Sequence, residues 1–372
     1  MSNAASVNER LARLTALGTS IWLDQIRRSL VQDGELRKLV EEDSLRGMTS
    51  NPAIFEKAIL GADEYDEQIA QLMNSGPPTP DARSIYQAIA IQDVQEAADV
   101  LRSVYDETDG YDGYVSLEVD PDLAFDTDKT IAQAREYWGR VDRPNLMIKI
   151  PGTDEGLPAI TEALYEGINI NVTLLFKVGQ YEKVIDAFLD GMERRLAEGK
   201  PVDGIHSVAS FFVSRVDTEV DKRLEAAGGH DELLGKAGVA NARAAYQAFD
   251  KVFHGDRFAK LRAAGAPVQR PLWASTGVKN PNYPDTMYVD ELAGPETVNT
   301  MPLDTLRAAG DHGTASASRV DLDPTADLEA LAAAGIDLDD VTDKLLSDGV
   351  DAFVTPMEKL LAGIESKRKA VA

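Results

Sequence analysis

Leu146-Met147-Ile148-Lys149-Ile150-Pro151 is an apolar run with one cation inside it, and Ile168-Asn169-Ile170-Asn171-Val172-Thr173 follows after a gap long enough for a helix. Two short β-rich runs joined by a longer amphipathic segment read as strand, helix, strand. The same alternation extends both ways. Upstream lie Ser20–Asp24 (SIWLD), Gly47–Asn51 (GMTSN) and Tyr114–Val119 (YVSLEV). Downstream lie Ile205–Phe212 (IHSVASFF), Pro271–Ser275 (PLWAS) and Thr297–Met301 (TVNTM). The total is eight candidate strands, the number a closed (β/α)8 barrel requires.

The segments between them read as helices. Gln25 to Val40 carries Ile26, Leu30, Leu36 and Leu39, and Tyr181, Val184, Ile185, Phe188, Leu189, Met192 and Leu196 trace one face of a helix after the fifth strand. Val216 to Leu224 starts another. The gaps 51–114 and 212–271 have room for more than one helix each. The tail from Asp323 to Lys369 is helical in pattern, with interruptions expected near Gly335 and Pro356, and would lie outside the barrel or over its mouth. The nearest thing to a linker is the short turn-forming stretch Asn74–Pro80, NSGPPTP. A doubly wound open sheet shows the same alternation, but the strand count and the lack of GxGxxG after the first strand favour the barrel. The expectation is an α/β protein: one (β/α)8 TIM barrel domain over 1–372, with additional helices and with 323–372 as an appended helical tail.

Composition narrows the function. At 372 residues and 44% apolar content the chain can bury a sizeable core. With 63 acidic and 38 basic residues the net charge is −25, which disfavours nucleic acid or an anionic membrane as a partner. An anionic ligand would need a local positive cluster. There is no cysteine, so disulfides, thiolate metal sites and cysteine nucleophiles are excluded together. The four histidines, His206, His230, His254 and His312, show no ligand spacing, and no metal or cofactor is expected. Residues 1–20 lack the apolar stretch of a signal peptide and no segment has transmembrane length, so a soluble cytoplasmic protein is expected.

The strand ends carry the chemistry. The first ends on Asp24, the second on Thr49, Ser50 and Asn51, and the third on Glu118 and Asp120. The fourth contains Lys149, the fifth ends on Asn171 and Thr173, the sixth carries Ser210 and the seventh Ser275. In a barrel these positions converge on the C-terminal mouth, where active sites of this fold lie. A lysine between isoleucines cannot easily reach water, and burial favours the free amine, a nucleophile able to form a Schiff base with a carbonyl. The alternative is an edge-strand lysine placed against aggregation. Asp24 and Glu118 could divide the proton transfers of such chemistry, although Asp24 could equally cap the helix that follows. After the seventh strand, Ser275-Thr276-Gly277-Val278-Lys279-Asn280 fits the place where barrels often bind phosphate, and Arg215 follows the sixth strand. The sequon Asn171-Val172-Thr173 reads as a chance match.

Four motifs carry a resemblance: Gly47-Met48-Thr49-Ser50-Asn51-Pro52, Val115-Ser116-Leu117-Glu118-Val119, Ile148-Lys149-Ile150-Pro151-Gly152-Thr153, and the run Gly167 to Phe176, GININ followed by VTLLF. In this order, and over roughly Thr15 to Leu361, the chain resembles the transaldolases, the dihydroxyacetone-transferring enzymes of the pentose phosphate pathway. The resemblance implies a metal-free class I aldolase-type barrel acting on sugar phosphates, and the sequence leaves monomer and homodimer both open. It implies Lys149 as the Schiff-base lysine and Asp24 as the group taking the C4 hydroxyl proton. Glu118 and Thr173 resemble the pair holding a catalytic water. Asn51 and Asn171 resemble the residues holding the dihydroxyacetone unit, with Ser210 nearby. Arg215 and Ser275 resemble phosphate ligands. Many family members place an arginine soon after the serine matching Ser275; here Lys279 stands in that region, a point charge without the guanidinium fork. Two rivals remain: an aldolase of the same fold cleaving fructose 6-phosphate outright, and a catalytically silent sugar-phosphate binder. The long insertions and the tail fit the larger transaldolases, and Lys149 and Asp24 are both present.

Overall fold

Eight parallel strands close on themselves in chain order in the computed structural model, which describes residues 7–74 and 79–371. They are β1 Thr19–Asp24, β2 Leu45–Thr49, β3 Tyr114–Glu118, β4 Leu146–Pro151, β5 Ile170–Leu175, β6 Ser207–Phe212, β7 Gln269–Ala274 and β8 Thr297–Met301. β8 pairs back onto β1, Thr19 with Thr297 through Leu23 with Met301, so the sheet has no free edge. With helices between the strands, the expected (β/α)8 barrel is present. Most of the expected stretch 74–80 lies outside the described residues. Among the described residues no helix is long and apolar enough to cross a membrane.

Strand ends shift where a side chain has other work. β2 stops at Thr49 because Asn51 leaves the sheet to cap the helix Pro52–Leu60, its Oδ1 accepting the Ile54 amide at 3.0 Å. β5 starts at Ile170 because the Asn169 side chain turns back to bond the carbonyls of Pro144 and Leu146. The stretch 25–40 is not one helix. It splits into Arg28–Gln32 and Glu35–Glu42 at Gly34, whose φ of 80° leaves the helical region.

Side-chain alternation sorts each strand into an outward and an inward row. Outward residues such as Ile21, Leu23, Val115, Leu117, Ile148 and Ile150 join the core under the helices. Inward residues form layers. At the N-terminal end Arg270 pairs with Asp112 at 3.0 Å and donates to Ser20, which itself donates to Asp112. Above this plug Trp22, Tyr114, Met147, Val208, Leu272 and Val298 fill the middle. Gly47 makes room for the indole: a Cβ there would lie 2.4 Å from the Trp22 ring. One step further along most strands the inward side chains turn polar, β7 with Ala274 being the exception. Two residues past Trp22 comes Asp24, and two past Met147 comes Lys149.

The tail forms two helices, Thr325–Ala333 and Leu338–Val371. The break near Gly335 is as expected, with φ at 85°. The break at Pro356 is not: the second helix runs through it. Proline gives up the bond to the Ala352 carbonyl, but Phe353 before it and Met357, Leu360 and Ile364 after it are all buried, so packing holds both sides in register. This helix crosses the barrel mouth. Lys177, just beyond β5, pairs with Asp339 and Asp343; Arg223 pairs with Asp340; and Lys367 pairs with Asp66.

Candidate active site

Lys149 sits in the middle of β4, in register with Glu118 on β3 and Asn171 on β5. It is 4% exposed in a barrel without edges, which removes the edge-lysine reading. Its Nζ donates to the Ser50 carbonyl at 3.1 Å and to Glu118 Oε2 at 3.2 Å. Ser50 is itself fixed by its hydroxyl, which donates to the Ser116 carbonyl at 2.7 Å.

Glu118 uses only one oxygen in this pair. Its Oε1 is buried without a hydrogen-bond partner among the described residues, and so is the hydroxyl of Thr173. Unsatisfied buried polar atoms are rare and mark a place for a small polar molecule. Burial pushes the Glu118 carboxyl up to about 7; the Lys149 charge and hydrogen bond pull it down, and Asp24 adds to the rise. Such a carboxyl can both give and take a proton near neutrality.

Asp24 ends β1, partly exposed, on a cleft of about 250 Å³ shared with Arg27, Ile54 and Lys57. It caps no helix: the following helix begins after Arg27 and has no side-chain cap. Its Oδ1 accepts from Thr49 at 2.7 Å, and the Thr49 hydroxyl meets that of Thr300 at 2.7 Å. Burial raises its pKa above the usual aspartate value, opposed by Lys149, the Thr49 hydrogen bond, Arg215 and Lys279.

Asn171 is held on both sides of its amide. Its Nδ2 donates to Ser116 Oγ at 3.0 Å, and its Oδ1 accepts from Ser210 at 2.7 Å. Asn51 stands at the rim with its Oδ1 committed to the helix cap, so the amide nitrogen is what it can offer a ligand. Arg215 lies in the first turn of the helix Ser214–Ala227, over the Phe212 ring at 5.1 Å, and forms no ion pair among the described residues. Burial lowers its pKa, while Asp24 draws it back up. Ser275 adopts φ 55°, and its hydroxyl meets that of Ser214 at 2.8 Å. Lys279 is exposed and lines a cleft of about 210 Å³ with Asp217, Asp221 and Tyr283, at the rim of the group around Lys149 and near enough for its charge to act on Asp24.

Two further residues join the site. Thr300, penultimate in TVNTM, occupies the same kind of strand-end position as the residues singled out above and was legible by that rule. Phe353 comes from the tail, its ring 5.5 Å from Lys149 Nζ, and only an apolar periodicity marked it. Among the described residues no three His, Cys, Asp or Glu side chains stand together in a way that could hold a metal ion.

Residues 21–364 match the family described as Transaldolase/Fructose-6-phosphate aldolase. A protein named Transaldolase from Saccharopolyspora erythraea is 50% identical over 365 residues, 97% of this chain and 98% of that protein. One of the same name from Mycolicibacterium smegmatis is 50% identical over 368 residues, 98% of each. Another from Thermobifida fusca is 51% identical over 356 residues, 94% of this chain and 96% of its own. A crystal structure described as a putative fructose-1,6-biphosphate aldolase from Coccidioides immitis aligns over 90% of this chain and 99% of its own at a TM-score of 0.29 and 8% identity, too loosely to carry an argument. With half of its residues shared along nearly its whole length, and a lysine buried among carboxylates at the mouth of a closed barrel, this chain belongs to the transaldolase/fructose-6-phosphate aldolase family and is an enzyme of the transferase class.

Proposed function

We propose that the enzyme moves a dihydroxyacetone unit between sedoheptulose 7-phosphate with glyceraldehyde 3-phosphate and erythrose 4-phosphate with fructose 6-phosphate, through a Schiff base on Lys149. The observation that carries this is the buried pair of Lys149 and Glu118 at 3.2 Å, beside two polar atoms that have no hydrogen-bond partner among the described residues. Glu118 takes a proton from the ammonium, and the free amine adds to the ketone carbon of the donor sugar. A water held between Glu118 Oε1 and the Thr173 hydroxyl relays the protons that turn the carbinolamine into an iminium ion. Asp24 accepts the C4 hydroxyl proton, the C3–C4 bond breaks, and the aldose phosphate leaves. The three-carbon enamine stays on Lys149 until a second aldehyde enters and the steps reverse.

The Asn171–Ser210 pair and Asn51 hold the dihydroxyacetone hydroxyls in this reading. Arg215, with Ser275 and the Ser214 helix end, holds the phosphate, and Lys279 adds charge from the rim. The same reading makes 1–372 one catalytic domain working in the cytoplasm on sugar phosphates. The test combines fructose 6-phosphate with erythrose 4-phosphate and follows sedoheptulose 7-phosphate. In parallel, borohydride with fructose 6-phosphate should fix an adduct on Lys149; its absence overturns the mechanism. Free dihydroxyacetone as the main product despite an acceptor would point to outright cleavage instead.

Arg215→Ala is expected to raise KM for phosphorylated donors roughly tenfold to a hundredfold, the range of a lost charge-assisted hydrogen bond. KM for an unphosphorylated ketose should barely move. Equal losses on both substrates would place Arg215 away from the phosphate.

A further inference from the structure

We propose that Phe353 decides between transfer and release, by keeping proton donors from the enamine carbon of the intermediate carried on Lys149. The inference rests on the Schiff-base reading above.

Three features bring this ring to its place. The first is a strained bulge within β5. Leu174 has φ 61°, which non-glycine residues rarely adopt, and the β5–β6 register slips between Val172 and Leu175. Strict alternation would send Leu174 outward after inward Thr173. It joins the inner cluster with Phe176, Phe212 and Phe353 instead. The second is Gly349, one helical turn before Phe353 and on the same face. A Cβ at Gly349 would already lie 3.2 Å from Leu174 Cδ2 and 3.4 Å from the Phe176 ring. The bare glycine lets the helix settle onto the end of β5. The third is the clasp of ion pairs from Lys177 and Arg223 to Asp339, Asp343 and Asp340, which anchors the helix across the mouth.

Phe353 is therefore 4% exposed, with its ring 5.5 Å from Lys149 Nζ. The ring face suits a cation, the ammonium before reaction or the iminium during it. It has no proton to give and no lone pair to bind water. Release of the enamine begins with a proton on carbon, which the ring cannot supply. A proton adds to the carbon that lost the aldose, water oxygen bonds to the imine carbon, and the C–N bond breaks. Lys149 leaves as an ammonium ion and dihydroxyacetone departs. A roof of phenyl, Leu174 and Phe176 denies the enamine carbon a proton donor, while the water held by Glu118 and Thr173 stays available for the imine hydrolysis that ends a normal turnover.

The test measures dihydroxyacetone released per sedoheptulose 7-phosphate formed, with fructose 6-phosphate and erythrose 4-phosphate. Phe353→Ala is expected to raise the ratio on the order of tenfold, the effect of about 1.4 kcal/mol on the barrier to release. Phe353→Leu, which keeps the apolar bulk, should stay near the unaltered enzyme, with Phe353→Val between. Borohydride trapping with fructose 6-phosphate is run on each variant to show that the imine still forms. Equal ratios across the variants, with adducts present, overturn the role of Phe353 and leave the lysine mechanism standing. No adduct in the unaltered enzyme overturns the mechanism and this inference with it.

Discussion

Lys149→Ala should lower transfer by about 10⁵-fold or more, since an amine held against the carbonyl acts at an effective concentration of that order. The loss should appear in kcat, and the borohydride adduct should vanish. The variant should still fold. Removing one partner of a buried ion pair usually strands the other at a cost of about 3–5 kcal/mol. Here burial already pushes the Glu118 carboxyl up to about 7, and Lys149 is the main force opposing the rise. Without that cation Glu118 rises further and stays protonated at neutral pH, so no charge is left unpaired. Circular dichroism and thermal unfolding check this. A folded Lys149→Ala enzyme with substantial transfer would refute covalent catalysis at this residue.

Asp24→Asn is expected to lower kcat by about 10²–10⁴-fold, the range of a lost general base, while leaving imine formation intact. Mass spectrometry after borohydride should show Lys149 carrying the whole six-carbon donor rather than the three-carbon fragment, because the C3–C4 bond no longer breaks. A three-carbon adduct in normal yield would assign the base elsewhere. The same variant should be more stable. The folded-state pKa of Asp24 is raised by burial, so the native protein holds this proton more tightly than the unfolded chain. Stability contributed by the group is thus lost as pH rises from the ordinary aspartate value through the raised one. Asparagine removes that loss and can still accept from Thr49. Its Tm gain should be present at neutral pH and fade in acid, where Asp24 is protonated in both states. Lower activity with higher stability is the pattern expected of a group held charged for its chemistry.

The barrel was legible because strands buried on both faces leave short apolar runs that no helix interrupts. Met147 to Pro151 is such a run, and its one cation read either as an edge-strand lysine or as a group turned into the mouth until the closed barrel removed the first reading. Thr49, Asn171 and Ser210 were legible by the same rule of strand ends. What periodicity could not supply was position in space. Gly34 divides the stretch after β1 by its backbone angle, and Pro356 fails to divide the last helix because tertiary burial outweighs one missing hydrogen bond. Phe353 was hidden for the same reason. An apolar residue in a helical tail looks like core until the fold shows that Lys149 lies beneath it.

The lysine and its cover come from distant parts of the polypeptide, and the ribosome makes them at different times. The barrel closes only when β8 is available to pair with β1, at Thr297–Met301. Phe353 emerges later still, at an elongation rate of roughly 5–20 residues per second. A barrel that closed during that interval of some seconds would hold its amine uncovered. Any cellular aldehyde or ketone that reaches it meets a nucleophile not yet restricted to its proper partners.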